Sequence, residues 1–222
     1  MILGITGKAQ SGKDTACTII QATHAYRNSK INFWKKEFTE FEFVKTSVEQ
    51  REAISLCKKH AFADALKECA SLILGEDRFL FEENSFKESP TSLELYNKEG
   101  ERMTNRQFLQ YFGTEVGRAI DKDLWVKVLM NKYQTEMDNW AREIENEPIW
   151  IVPDVRFPNE ASAIRKAGGQ IWKIERPGVE PVSPHVSEQL IDTIPCDIVI
   201  ENSQDLNTYI KCVISAYDMT FK

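Results

Sequence analysis

Apolar and polar positions alternate along the chain in a way that predicts short buried strands separated by amphipathic helices. Ile2-Leu3-Gly4-Ile5 is a brief apolar run that breaks into a glycine-bounded loop. Ala16, Ile19, Ile20 and Thr23 then recur at helical spacing and predict a first helix from Lys13 to about Tyr26. Asn28–Lys30 interrupt it. Segment 28–57 reads as an insertion: Phe41 and Phe43 alternate with Glu40 and Glu42 like a half-buried strand, while Gln50–Lys58 is more helical. Its aromatics suit a small satellite core. His60-Ala61-Phe62 is a short apolar stretch. After it, Ala65, Leu66, Cys69, Leu72 and Ile73 predict a helical face that stops at Gly75. Residues 76–103 are polar, carry Pro90 and Gly100, and predict a loop-rich excursion. Thr104 and Gln107 have capping-box spacing, and Phe108, Leu109, Phe112, Val116 and Ile120 form one arc of a helix over Thr104–Ile120. Asp123 can cap a further helix through Trp125, Val128, Leu129 and Tyr133, which runs into a charged stretch to Glu147.

The second half opens on Ile149–Val152, a fully apolar run of the kind that makes a buried parallel strand. A helix follows, with Pro158 near its first turn, Ala161, Ile164 and Ala167 on one face, and Gly168-Gly169 as the stop. Then come strand Gln170–Ile174, the turn Arg176-Pro177-Gly178, a polar loop around His185 and strand Asp197–Glu201. Leu206, Tyr209, Ile210, Val213 and Tyr217 mark the last helix. There is no repeat, low-complexity tract or linker. The pattern predicts a single three-layer α/β domain with a parallel sheet of about five strands. Its core would be about 1–27, 58–75 and 148–222, with a helical excursion over about 63–147.

Chemistry concentrates in two stretches. In MILGITGKAQSGKDT, Gly7, Gly12 and Lys13 fit G-x-x-x-x-G-K, placed between a predicted strand and a predicted helix. Glycines let the backbone curl into a nest of inward N–H groups, the helix start adds its positive dipole end, and the lysine reaches phosphate as a point charge. The residue after the lysine is ordinarily Ser or Thr; here it is Asp14, with Thr15 behind it. A carboxylate there can bind Mg²⁺, directly or through water, or orient the attacking group, and it equally suits the first turn of a helix. The second stretch is PIWIVPDVR, where Asp154 and Arg156 follow a strand end, the place where active groups of open α/β sheets collect. A structural ion pair between these two is the alternative. Other candidates each carry a plain reading beside the functional one. Lys67 and Asp64 are surface or phosphate and base contacts, and Glu160 is a cap or a substrate contact. Arg106 shares a helix side with Gly113 and Gly117, Trp125 is core or a base platform, and His185 sits in a loop.

Composition narrows the classes. At 222 residues a substantial core is attainable, and 42% hydrophobic with 28% charged residues describes an ordinary water-soluble chain. The net charge of −6 argues against coating nucleic acid, although a few local Lys and Arg suffice for a nucleotide. Cys17, Cys57, Cys69, Cys196 and Cys212 form no C-x-x-C pair, so neither zinc nor a disulfide framework is suggested and a reducing compartment is the default. No signal peptide precedes the loop, and no apolar run reaches membrane-span length. A cytoplasmic location is expected.

Several blocks together resemble the bacteriophage deoxynucleoside monophosphate kinases: Ser11-Gly12-Lys13-Asp14-Thr15, Gln107–Thr114, Leu124-Trp125-Val126-Lys127, Ile151–Arg156, Arg176-Pro177-Gly178 and His185-Val186-Ser187-Glu188. Segments 28–57 and 76–103 lie outside the likeness. The resemblance implies a nucleoside monophosphate kinase-like phosphate-loop fold and ATP-dependent phosphorylation of a deoxynucleoside monophosphate, in the host cytoplasm if the chain is viral. It implies ATP at Gly7, Ala9, Gln10, Ser11, Gly12, Lys13, Asp14, Thr15 and Arg176, and Mg²⁺ at Asp14, Thr15 and Asp154. Lys67, Arg106, Trp125, Asp154, Arg156 and Glu160 would meet the acceptor, with Arg102 and Arg118 as rivals for the place of Arg106. Lys13, Asp14, Arg106, Asp154 and Arg156 would carry catalysis. The resemblance leaves a homodimer open and implies neither nucleic acid nor membrane as partner. The alternatives are a kinase for another small metabolite, such as dephospho-coenzyme A, and a catalytically silent nucleotide-binding switch.

Overall fold

The middle strand of the sheet is β1 (Ile2–Thr6), whose five residues are all buried, and the rest of the fold is laid out around it. The structure is a computed structural model and describes residues 1–28, 57–140, 148–178 and 190–221. After β1 come α1 (Lys13–Asn28), β2 (Cys57–Lys59), α2 (Asp64–Leu74), a 3₁₀ turn (Arg78–Glu82) and α3 (Asn84–Glu88). Next are α4 (Asn105–Gln110), a π-helical segment (Tyr111–Val116), α5 (Gly117–Ile120) and α6 (Leu124–Trp140). The chain finishes with β3 (Ile149–Val152), α7 (Pro158–Lys166), β4 (Gln170–Glu175), a 3₁₀ turn (Ile191–Thr193), β5 (Ile198–Glu201) and α8 (Leu206–Thr220). It divides into two compact units, residues 1–60 with 133–222 and residues 61–132.

In the first unit five parallel strands pair in the order β2-β3-β1-β4-β5. Strand side chains alternate between faces, so Leu3 and Ile5 point to one side and Ile2 and Gly4 to the other. The first side packs Ala16, Ile19 and Ile20 of α1 and Tyr209, Ile210 and Val213 of α8 against Trp172 and Ile174. On the second side α7 closes over β1. A Cβ on Gly4 would lie 2.6–2.9 Å from side-chain methyls of Ile171, Ile164 and Val155, so the glycine lets these three close tightly over β1. Trp150 is fully buried, stacked by His60 with ring centroids 3.9 Å apart and met edge-on by Tyr133. Helix, sheet, helix: the three-layer α/β architecture and the five parallel strands are as the sequence predicts.

The second unit is helical, with Ala70, Leu74, Phe81 and Phe108 as its buried centre. Two of the predicted helix faces are corrected here. Helix α2 buries Ala70 and Leu74 and sets Leu66 against Gly113, whereas Leu72 is 84% exposed and Ile73 is exposed too. The 3₁₀ turn that brings Phe81 onto the Ala70 side decides this, because apolarity alone does not say which neighbour arrives. The Thr104 capping box is present, but the helix it starts becomes π-helical at Tyr111. A wider turn shifts the phase of every later residue, which leaves Ile120 exposed. Segment 76–103 holds the 3₁₀ turn and α3 as well as loop.

Smaller differences occur elsewhere. Val128 and Leu206, which help mark their helices in the sequence, are exposed. Cys57–Lys59 is a strand, not the end of a helix, because it pairs in parallel with Ile149–Ile151. The rest of the predicted insertion, including Phe41, Phe43 and the run from Gln50, lies outside the described residues, as does the loop around His185.

Candidate active site

Because all five strands run the same way, whatever follows their last residues gathers along one edge of the sheet. β1 delivers the glycine loop there. Gly7 has φ 145°, Gln10 63° and Gly12 104°, a succession that an ordinary L-residue chain resists. A Cβ on Gly7 would stand 2.4 Å from the Ile174 carbonyl oxygen, so the first glycine is demanded by space as well as by conformation. Lys13 is folded onto the loop and donates from Nζ to the Gly7 and Lys8 carbonyls at 2.7 and 2.8 Å. Ser11 is buried, and its Oγ has no hydrogen-bond partner among the described residues. An orphaned hydroxyl inside a concave, cation-bearing loop fits a loop built to receive oxygen atoms of a ligand.

Asp14 stands in the first turn of α1 with its side chain 88% exposed, and Lys59, the last residue of β2, reaches it at 2.8 Å. Beyond β3, the Val155 N–H donates to the Ile5 carbonyl at 3.0 Å, so Asp154 and Arg156 flank the end of the loop-bearing strand. Arg156 Nε donates to Asp154 at 2.8 Å, and both side chains remain about one-third exposed. The ion pair offered as the plain reading therefore exists. Glu160 is buried and accepts from the Arg156 and Phe157 N–H groups at 2.8 and 3.0 Å. It caps α7 and fixes the backbone that carries Arg156. Arg176 is exposed on the turn after β4.

Cys17 on α1 is not a nucleophile in waiting. Burial, partly offset by Lys59 and Lys13, pushes its thiol up to about 12, and Cys57 is raised for the same reason. Among the described residues no group of three or more His, Cys, Asp or Glu side chains could hold a metal by itself. One or two carboxylates, Asp14 and Asp154, are nevertheless the donor set that Mg²⁺ takes when phosphate and water complete its shell.

The second unit holds the other candidates. Lys67 is not solvated surface: it pairs with Glu82 at 2.6 Å and its side chain is only 15% exposed. Glu82 also meets Arg78, which reaches Asp64 at 3.0 Å. Burial works against the Glu82 charge, yet hydrogen bonds from Lys67 and Arg78 outweigh it and hold the carboxyl below its usual range. Arg106 pairs with Glu88, while Arg102 and Arg118 donate to the carbonyls of Thr91 and Lys122. Trp125 is buried, its ring on Gly117 and its indole N–H donating to the Gly113 carbonyl at 2.8 Å. The glycine side that could have admitted a ligand is filled by Leu66 and Trp125.

Three contributors escape the sequence reading. Lys59 is one. The others are Asn202, whose Nδ2 donates to the Ser11 carbonyl at 2.9 Å, and Tyr209, whose hydroxyl donates to the Gly12 carbonyl at 3.0 Å. Asn202 does follow a predicted strand end, which is a usable signal; Tyr209 reads simply as a core position.

The fold, with its glycine loop leaving the middle strand of a five-stranded parallel sheet, is a phosphate-loop kinase-like α/β fold. Comparison with known proteins narrows this class. The sequence profile of the deoxynucleotide monophosphate kinase family matches residues 37–213. A protein of Acanthamoeba polyphaga mimivirus, provisionally named a deoxynucleotide monophosphate kinase, is 30% identical over 163 residues, 71% of this chain and 81% of that one. The deoxynucleotide monophosphate kinase of Enterobacteria phage T4 is 25% identical over 114 residues, 51% of this chain and 45% of that one. A protein of Ictalurid herpesvirus 1 (strain Auburn), named only as uncharacterized, is 28% identical over 127 residues, 56% of this chain and 51% of that one. The chain belongs to the deoxynucleotide monophosphate kinase family and is a phosphotransferase. The matched range begins after the glycine loop, so loop and family are separate lines of support. No helix of the described residues is long and apolar enough to cross a membrane.

Proposed function

We propose that the chain transfers the γ-phosphoryl group of ATP to a deoxynucleoside 5′-monophosphate, with Mg²⁺, giving ADP and the diphosphate. The carrying observation is the loop itself: positive-φ glycines, a lysine folded into the curve and a buried serine hydroxyl with no hydrogen-bond partner among the described residues. In this reading Gly7, Ala9, Gln10, Ser11, Gly12 and Lys13 bind the triphosphate, and Arg176 lies toward the rest of ATP. Asp14, Thr15 and Asp154 would hold Mg²⁺, which when bound neutralises phosphate charge. Phosphoryl transfer leaves the protein little covalent work, so rate comes from positioning and from stabilising charge.

Arg156 supports that part best. Its guanidinium sits at a strand end on a backbone pinned by Glu160, and the planar guanidinium fork matches phosphate oxygens two at a time. Lys67, Arg106 and Trp125, all on the 61–132 unit, are the acceptor contacts. Trp125 acts there by shape, since its N–H is already bonded inside the unit. The viral relatives suit action in the cytoplasm of a host cell.

The test is ADP release with ATP, Mg²⁺ and each deoxynucleoside monophosphate in turn, beside dephospho-coenzyme A and a Lys13→Met control. Product with at least one deoxynucleotide, lost in the control, is expected. Product only with another acceptor, or ATP binding without turnover on any acceptor, overturns the proposal.

A further inference from the structure

We propose that Asn202 and Tyr209 are positioning residues that aim the N–H groups of the phosphate loop, a role that rests on the phosphate-binding reading of that loop. A trans peptide is planar, and its carbonyl and N–H point in opposite directions. Fixing a carbonyl therefore fixes where the next residue's N–H points. Asn202 Nδ2 holds the Ser11 carbonyl at 2.9 Å, which turns the Gly12 N–H away from Asn202. The Tyr209 hydroxyl holds the Gly12 carbonyl at 3.0 Å, which turns the Lys13 N–H the same way; that carbonyl also accepts from the Ala16 N–H at 2.9 Å. Two successive peptides are thus oriented by side chains 191 and 197 positions away in sequence. Peptide planarity leaves their N–H groups directed away from the two clamping side chains, at a helix start where no intrahelical acceptor meets them.

The two clamps are themselves fixed. The Asn202 N–H donates to the Glu175 carbonyl at 2.7 Å, tying it to the end of β4. Tyr209 is buried, and burial raises its hydroxyl, so it remains a donor. Both lie hard against the glycine: a Cβ on Gly12 would come within 2.6 Å of Asn202 Nδ2 and 3.4 Å of the Tyr209 hydroxyl. The second glycine of the motif is required here by the clamp as well as by its φ of 104°.

The experiment measures dissociation constants for ATP and for inorganic triphosphate, together with KM for the deoxynucleoside monophosphate. The variants are Tyr209→Phe, Asn202→Ala and Lys13→Met, with exposed Lys211→Ala on the same helix as control. Loss of one such hydrogen bond should weaken both phosphate probes about three- to tenfold. The acceptor's KM should be unchanged and Lys211→Ala should match wild type. A merely structural role would leave triphosphate binding by the folded fraction unaltered or shift acceptor and triphosphate alike, and either result overturns the assignment. Tyr209→Phe keeps shape and packing, so it decides the matter if Asn202→Ala does not fold. If wild type binds no triphosphate, or Lys13→Met binds it as wild type does, the phosphate-loop reading falls and the clamp role with it. Loss in Lys13→Met without loss in the clamp variants removes the clamp role alone.

Discussion

Asp14 shows how much a single position can leave undecided in a sequence. It was readable as a metal ligand or as a helix-dipole charge, and in the fold it is an exposed carboxylate held by Lys59. An ion pair so open to water is weak, so the carboxylate can exchange its partner for a more strongly charged one. Arg156 presents a sharper case. Its pair with Asp154 is partly exposed and contributes at most about 1 kcal/mol to stability. Its proposed contribution to the transition state is far larger, on the order of 10³ in rate. Arg156→Ala is therefore expected to lower kcat about a thousandfold while moving the urea midpoint little, measured by ADP release and by equilibrium unfolding on the same preparation. Comparable losses in both would assign the residue to structure. The placement of Lys13, Asp14, Asp154 and Arg156 was legible because each lies within a few residues of its own strand end or glycine. Lys59, Asn202 and Tyr209 were not, because their partners are 45, 191 and 197 positions distant.

Elements were read well where a local rule governs them. The capping box at Thr104, Pro158 at the start of α7 and the Gly75 stop all have their causes within one turn. Faces of helices were read less well, since a face is chosen by what packs on it. Helix α1 illustrates the gain from packing: His24 is buried on it, with Nδ1 hydrogen-bonded to the Tyr217 hydroxyl of α8 at 2.8 Å. Burial disfavours the imidazolium and lowers its pKa to about 4, against 6.5 for the unperturbed side chain. Between those values the unfolded chain takes up a proton that the folded chain refuses. The stability present above about pH 6.5 is accordingly lost as pH falls toward 4, by an amount on the order of 3 kcal/mol. Urea unfolding at pH 7 and pH 4.5 should show that loss in wild type and a smaller one in His24→Gln. Equal losses would assign the acid sensitivity to other groups.

At the scale of the molecule, the parallel sheet is what makes a site. Strands β1, β2, β3 and β5 are scattered through the sequence, yet their ends deliver the glycine loop, Lys59, Asp154 and Asn202 to one edge. The layers that hold this arrangement are close-fitting. At Gly169, where the chain leaves α7 for β4, a Cβ would stand 2.3 Å from the Ile2 carbonyl oxygen of the middle strand. Because backbone cannot step aside as a side chain can, Gly169→Ala should destabilise the chain by about 2 kcal/mol or more, measured by chemical denaturation. A change below 0.5 kcal/mol, the ordinary scatter of surface substitutions, would show that the layers have slack there. By itself the sequence determined the α/β class, the positions of the strands, the glycine loop and the acidic and basic pair after β3, because periodicity and turn chemistry act over a few residues. Only the tertiary structure decided which helix faces are buried, that the Trp125 ring lies against Gly117, that Lys59 meets Asp14, and that a tyrosine and an asparagine near the end of the chain grip its beginning. Those outcomes depend on which surfaces meet in space, and no local pattern records that.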